Sequence, residues 1–363
     1  MKAEYYLALC SSFGPLKDVA MQWLFAVTLF VSAALLFLVQ PMFAKMVLPV
    51  LGGSPAVWNT CMVFYQAVLL AGYVYAHVAI GWLGVRRQSV LHLAVLCLPW
   101  LVLPISVASA WIPPAEANPI PRLLLLLSVS VGLPLFAVSA SAPMLQKWFA
   151  NTNDPAAGDP YFLYAASNLG SMIALLGYPA VVEPLLSLAA QPVIWAAGYG
   201  LLSVLTLGCA VLLWRTHAQV APALSGDERT SSGGQSASAA GADAVALSQK
   251  LRWLILSFAP SSLLLGVTMH ISTDIAAAPL LWVIPLALYL STFVLVFARR
   301  IVLSHAWMIR LQPYLVLLLA VLFFHRVSDR PAAMLLLHLA TFFVIAMVCH
   351  GELARTRPGP DRL

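Results

Sequence analysis

Two acidic side chains stand in apolar surroundings where a charge is costly: Glu183 in "YPAVVEPLL" and Asp274 in "MHISTDIAAAPLLW". A carboxylate at membrane depth usually has a task, and two together could hold a small organic cation. The plainer reading makes both of them loop carboxylates with water beside them. Gln40, Asn59 and Asn168 lie in or beside apolar runs and could line the same route. Hydrogen bonding between helices is the commoner use of such amides. His270 precedes Asp274 by four residues, so the two share a face if the helix continues. Two ligands do not make a metal site, and neither a metal nor another cofactor is expected.

The elements that must carry these residues are apolar helices. The chain has 363 residues, of which 62% are hydrophobic and only 9% charged, and its mean hydropathy is +0.91. Soluble domains carry about 25% charged residues. Apolar runs of about 20 residues, long enough to cross a hydrocarbon core, recur along the chain, and backbone groups in lipid must be satisfied internally. The fold class expected is all-α, a polytopic helical membrane protein with about ten transmembrane helices. They fall near 22–40, 57–80, 88–110, 122–147, 160–181, 191–214, 251–271, 278–298, 304–325 and 331–350.

Basic residues set the sides. With the N-terminus in the cytoplasm, most lysines and arginines face inward and only Lys45, Arg122, Arg326 and Arg330 face outward. Both termini are then cytoplasmic, and the net charge of +6 reflects topology rather than a nucleic-acid surface. Residues 215–250 include "SGDERTSSGGQSASAAGADA", too poor in large apolar groups to fold. The organisation expected is an N-terminal extension over 1–20 (Met21 being an alternative start), a six-helix bundle over 21–214 and a disordered cytoplasmic linker over 215–250. A four-helix second bundle over 251–350 and a cytoplasmic tail over 351–363 complete the chain. Six spans, a linker and more spans is a transporter-like plan. The five cysteines are scattered without a CxxC pair and read as packing residues.

Several local features refine this picture. In "LFLVQPMFAKMVLPVLGGSPAVWNT" (Leu36 to Thr60), Pro41 is expected to end the first helix, leaving Pro41 to Pro55 as an apolar outer connection. Lys45 within it either snorkels to headgroups or meets an acidic partner. Ala166, Gly170 and Ala174, four apart, form a small-residue seam for close helix packing. Pro134 and Pro143 are expected to kink the fourth span. "GWLGVRRQ" (Gly81 to Gln88) fills the turn between spans two and three, and faintly resembles the glycine- and arginine-containing motif of major facilitator transporters, without its aspartate.

No phosphate-cradling GxxxxGK[ST], GxGxxG after a strand, GxSxG or HExxH is present, so no enzyme is expected. The chain resembles the membrane region of bacterial fused major-facilitator/spermidine-synthase proteins. The resemblance rests on "FLVQPMFAKMVLPVLGGSPAVWNT", "YAASNLGSMIALLGYPAVVEP", "STDIAAAPLLWVIPLALYLSTFV" and "CHGELARTRP", and covers Met21 to Pro358. It implies a major-facilitator-like fold in the bacterial inner membrane and a link to polyamines. A chain stopping at Leu363 would then lack the last spans and the synthase domain. The aminopropyltransferase's catalytic aspartates and glycine-rich loop have no counterpart, so that activity is not implied. Two functions are then open. One is a transporter-like protein handling polyamines or other small organic cations. The other is a non-transporting anchor for a cytoplasmic aminopropyltransferase partner.

Overall fold

A computed structural model describes residues 14–51, 55–107, 119–158, 160, 162–223, 247–271, 283–297, 302–324 and 331–356. They are predominantly helical, with short non-helical connections and no strand among the described residues. Among the described residues eight helices are long and apolar enough to cross a membrane, and Val283–Phe297 is a shorter apolar one. The chain divides into two units, the first reaching Thr216 and the second covering His217–Gly359.

In the first unit α1 covers Gly14–Leu51 and α2 covers Pro55–Cys97. A 3-10 turn, Leu98–Leu101, ends α2. Next come α3 (Pro119–Leu127) and α4 (Leu133–Ala150), joined by a π turn over Ser128–Gly132. α5 (Phe162–Gly177) continues through a second π turn, Tyr178–Val182, into Glu183–Leu185. α6 is Gln191–Ala223.

The first helix does not stop at Pro41. It runs through Pro41 and Pro49 to Leu51, eleven residues past the expected end. Proline removes one backbone bond, but Met42, Phe43 and Val47 are almost wholly buried in the core that also holds Cys61, Leu127 and Tyr178. Side-chain packing holds the segment in register where local propensity alone would release it. The outer connection shrinks to residues 52–54, which lie outside the described residues.

α2 is two arms. Gly84 has φ 69° and ψ 164°, a conformation open to glycine and costly for other residues. Tyr75 and His92 lie on either side of this break with ring centroids 6.3 Å apart, so the arms fold back on each other. The reversal falls inside "GWLGVRRQ", where a turn is expected. The second arm is shorter than expected, leaving the α-helix at Cys97 rather than running to 110; Pro99 follows two residues later, in the 3-10 turn. Tyr199 donates its hydroxyl to the Leu96 carbonyl (2.8 Å), satisfying an acceptor at that helix end.

Cross-helix contacts fix the directions. Gly170 lies on Phe30, and Lys45 meets Glu183, so α1 and α5 run the same way. Phe25 packs on Phe149 and Ser32 bonds Val138, so α4 runs opposite. Trp195 donates to Leu35 O (2.9 Å) while Gly208 faces Leu24, so α6 is also opposite to α1. Gly72 meets Ser139, and farther along Gln88 meets Trp148 and His92 meets Ser141, giving the two arms of α2 opposite senses. Six passes therefore alternate through the unit. One apolar core gathers around Phe43, Tyr65 and Tyr178, and another around Phe25, Trp148 and Phe149.

In the fourth pass the irregular turn lies beside Pro134. Pro134 sits in the first turn of α4 beside the π turn, whereas Pro143 lies inside an unbroken α-helix. The second unit holds α7 (Leu247–His270), α8 (Val283–Phe297), α9 (His305–Phe324) and α10 (Pro331–Arg355). α6 extends nine residues beyond the expected start of the linker at 215, and residues 224–246 lie outside the described residues. α10 packs against the other three helices. Arg252 reaches Glu352 (2.9 Å) near the start of α7, while His270 at its end stacks near His338 (4.8 Å), so α7 and α10 are antiparallel.

Candidate functional site: a lysine–glutamate pair at one end of the first unit

The π turn over Tyr178–Val182 prepares the position of Glu183. Pro179 cannot donate a backbone bond, and a π turn adds a residue, rotating the next residues by about 100° relative to an unbroken α-helix. Glu183 comes directly after it and precedes Pro184, in a last short turn. The chain then turns back, and Gln191 opens α6. Tyr178 donates its hydroxyl to Gln191 Oε1 (3.0 Å), and Gln191 Nε2 donates to Leu186 O (3.1 Å). Both Tyr178 and Gln191 are buried, so the turn holding Glu183 is tied on both sides.

Lys45 reaches this carboxylate from α1, where continuation past Pro41 places it. Its Nζ donates to Glu183 Oε1 in an ion pair whose side chains are 36% and 33% exposed. Glu183 Oε2 is buried and has no hydrogen-bond partner among the described residues. The carboxylate thus has one oxygen neutralised and one able to accept another donor. Beginning at Met46, next to Lys45, an open cleft of about 420 Å³ is lined by Pro104, Ile105, Val107, Leu188 and Pro192. The volume falls within the range of small-ligand sites. Neither Lys45 nor Glu183 is among the cleft's lining residues, and its tie to the pair is the position of Met46 next to Lys45 on α1.

The other expected site residues are placed differently. Gln40 donates to Leu36 O (3.2 Å) in its own helix, and its carbonyl accepts the Tyr65 hydroxyl (3.4 Å). Asn168 donates to Tyr164 O (2.8 Å), also in its own helix. The side chain of Asn59 and the whole of Asp274 lie outside the described residues. In the seam, Gly170 and Ala174 are buried and Ala166 is half-buried. A Cβ on Gly170 would lie 2.4 Å from Phe30 O, so α1 and α5 touch there backbone to backbone.

A second polar cluster, which no sequence motif marks, lies toward the other end of the unit. Trp148 Nε1 donates to Gln88 Oε1 (2.7 Å), Gln88 Nε2 approaches Met144 Sδ (2.6 Å), and His92 Nε2 meets Ser141 Oγ (3.1 Å). Gln22 Nε2 donates to Asp154 Oδ1 (2.9 Å). In the second unit Glu352 binds Arg252 and His305 (2.8 Å), joining α7, α9 and α10. Gln88 and His92 could have been noticed as polar residues four apart beside an apolar run; their partners, some 50 to 60 residues away, could not. No group of three metal-binding side chains occurs among the described residues.

The fold and these buried polar contacts define the class: a helical protein built to span a membrane many times. No family model, curated protein or solved structure matches the chain.

Proposed function

We propose that the chain is a transporter-like membrane protein of the bacterial inner membrane, handling polyamines or other small organic cations. Its relatives on this reading are the membrane regions of major-facilitator/spermidine-synthase fusions, and its termini are cytoplasmic. The observation that carries the proposal is Glu183, a carboxylate in an apolar bundle with one oxygen buried and unpartnered. Such an oxygen is stabilised by a donor, and a cationic donor makes the stronger, charge-assisted hydrogen bond. The adjoining apolar cleft suits methylene groups. Alternation of six passes in the first unit is compatible with a major-facilitator-like half, and the buried amides Gln88, Gln146 and Gln191 with His92 inside it suit a protein with a polar route.

The test is spermidine binding to the purified protein by calorimetry, beside the Glu183→Gln/Asp274→Asn double variant. Saturable binding that the variant loses is the expected result. Equal binding by the two proteins would overturn the site assignment. A well-folded protein that binds no spermidine would favour the anchor for an aminopropyltransferase.

A further inference from the structure

We infer that Lys45 is an internal stand-in for the ligand, and that a primary alkylammonium enters by exchanging with it on Glu183. The inference rests on the proposed cation site and adds what the site selects and how it is kept quiet when empty. The group that Glu183 holds in this structure is itself a primary ammonium on a four-carbon alkyl stem. The carboxylate thus already accepts that chemistry, and a quaternary or aromatic cation has no such precedent there.

Three features make the contact exchangeable rather than fixed. Both partners are about one-third exposed, so the pair does not have to be pulled from a dry core. Glu183 also keeps a second oxygen, buried and unpartnered among the described residues, which an exchanging ammonium can take up as Lys45 withdraws and uncovers it. Lys45 also lies six residues from the end of α1, about 9 Å along the axis. Its flexible stem covers much of that distance, and its head can reach the interface when released. The carboxylate's own turn is held by the buried Tyr178–Gln191 bond, so the lysine is the freer partner.

Charge also favours exchange over addition. The occupied pair is neutral, and a second ammonium bound beside Lys45 would leave an excess positive charge in an apolar setting. Displacement keeps the site neutral. It also couples occupancy to the outer part of α1, because Lys45 ceases to tether α1 to the end of α5.

The experiment measures spermidine affinity by calorimetry in the full chain and in Lys45→Met, Lys45→Arg and Glu183→Gln. The same samples are acylated with an amine-reactive reagent, and labelling of Lys45 is read by peptide mass spectrometry with and without spermidine. Removing the competitor in Lys45→Met should tighten apparent binding roughly two- to five-fold, the scale of an ion pair of this exposure. Lys45→Arg keeps the charge and adds a bidentate grip, so it should weaken binding. Spermidine should raise Lys45 labelling in the unaltered protein. In Glu183→Gln the labelling should already be high and should not respond. If Glu183→Gln abolishes binding while both Lys45 variants bind as the original and labelling is unchanged, exchange is overturned and the cation site survives. If Glu183→Gln binds normally, both fall. The two Lys45 variants shift in opposite directions, so a general loss of folding cannot imitate the expected pattern.

Discussion

Replacing Gly170 by alanine should loosen the first unit, and the size of the effect can be worked from the contact it would disturb. A Cβ built there meets Phe30 O at 2.4 Å and Phe30 C and Cα at 3.0 Å, all backbone atoms of α1. None can rotate aside as a side chain would. Reaching 3.4 Å, where ordinary contact begins, requires α1 and α5 to part locally by about 1 Å. A gap of 0.5–1 Å forfeits roughly a quarter to a half of each affected dispersion contact. Helix association in lipid has little hydrophobic drive to make up the difference. Overpacking of this kind costs about 1–3 kcal/mol. Alanine returns about 0.5–1 kcal/mol through helix propensity, leaving a net loss of up to about 2.5 kcal/mol. Gly177, in the same helix, is the matched control: nothing lies within 4 Å of its Cβ position. Gly177→Ala should be neutral or slightly stabilising. Both variants would be unfolded by SDS titration in one mixed-micelle system. A Gly170→Ala protein as stable as Gly177→Ala would refute the backbone contact on which the α1–α5 arrangement rests.

Two other perturbations probe the same unit. Gly84→Ala meets no neighbouring atom but requires a positive φ, so it should destabilise the hairpin of α2 by about 1–3 kcal/mol; the same titration, with unchanged stability as the contrary result, checks it. Gln88→Leu strips the acceptor from a buried tryptophan N–H and should cost about 1–3 kcal/mol. Trp148 emission should shift as the side chain reorients, and an unaltered spectrum with wild-type stability would place that bond outside the packing energetics.

Much of the helical plan was legible in the sequence because its signal is local. Apolar runs mark the passes, and the glycine and two arginines of "GWLGVRRQ" mark a reversal that the structure puts at Gly84. Prolines misled more than once for a common reason. Pro41 lowers local helix propensity, but Met42, Phe43 and Val47 are buried on both sides of Lys45, and α1 continues. Pro143 likewise sits in an intact helix, while the irregular turn falls beside Pro134. Asn168 and Gln40 looked available for a route, yet each spends its amide on a carbonyl one turn back, a choice the sequence does not record.

The sequence by itself determined that this chain is a stack of apolar helices, where most of them begin to a few residues (the first starts at Gly14, eight residues before its expected start), and which few side chains carry charge among them. Hydropathy and glycine placement act over one or two turns, so they can be read from neighbours alone. Only the tertiary structure decided that Lys45 and Glu183 are partners across 138 residues. That depends on α1 running parallel to α5 at a backbone contact through Gly170, and on a π turn that rotates Glu183 toward it. Pairing of this kind is settled by which helices pack together and in what phase, and the packing energy that settles it belongs to no single stretch of the chain.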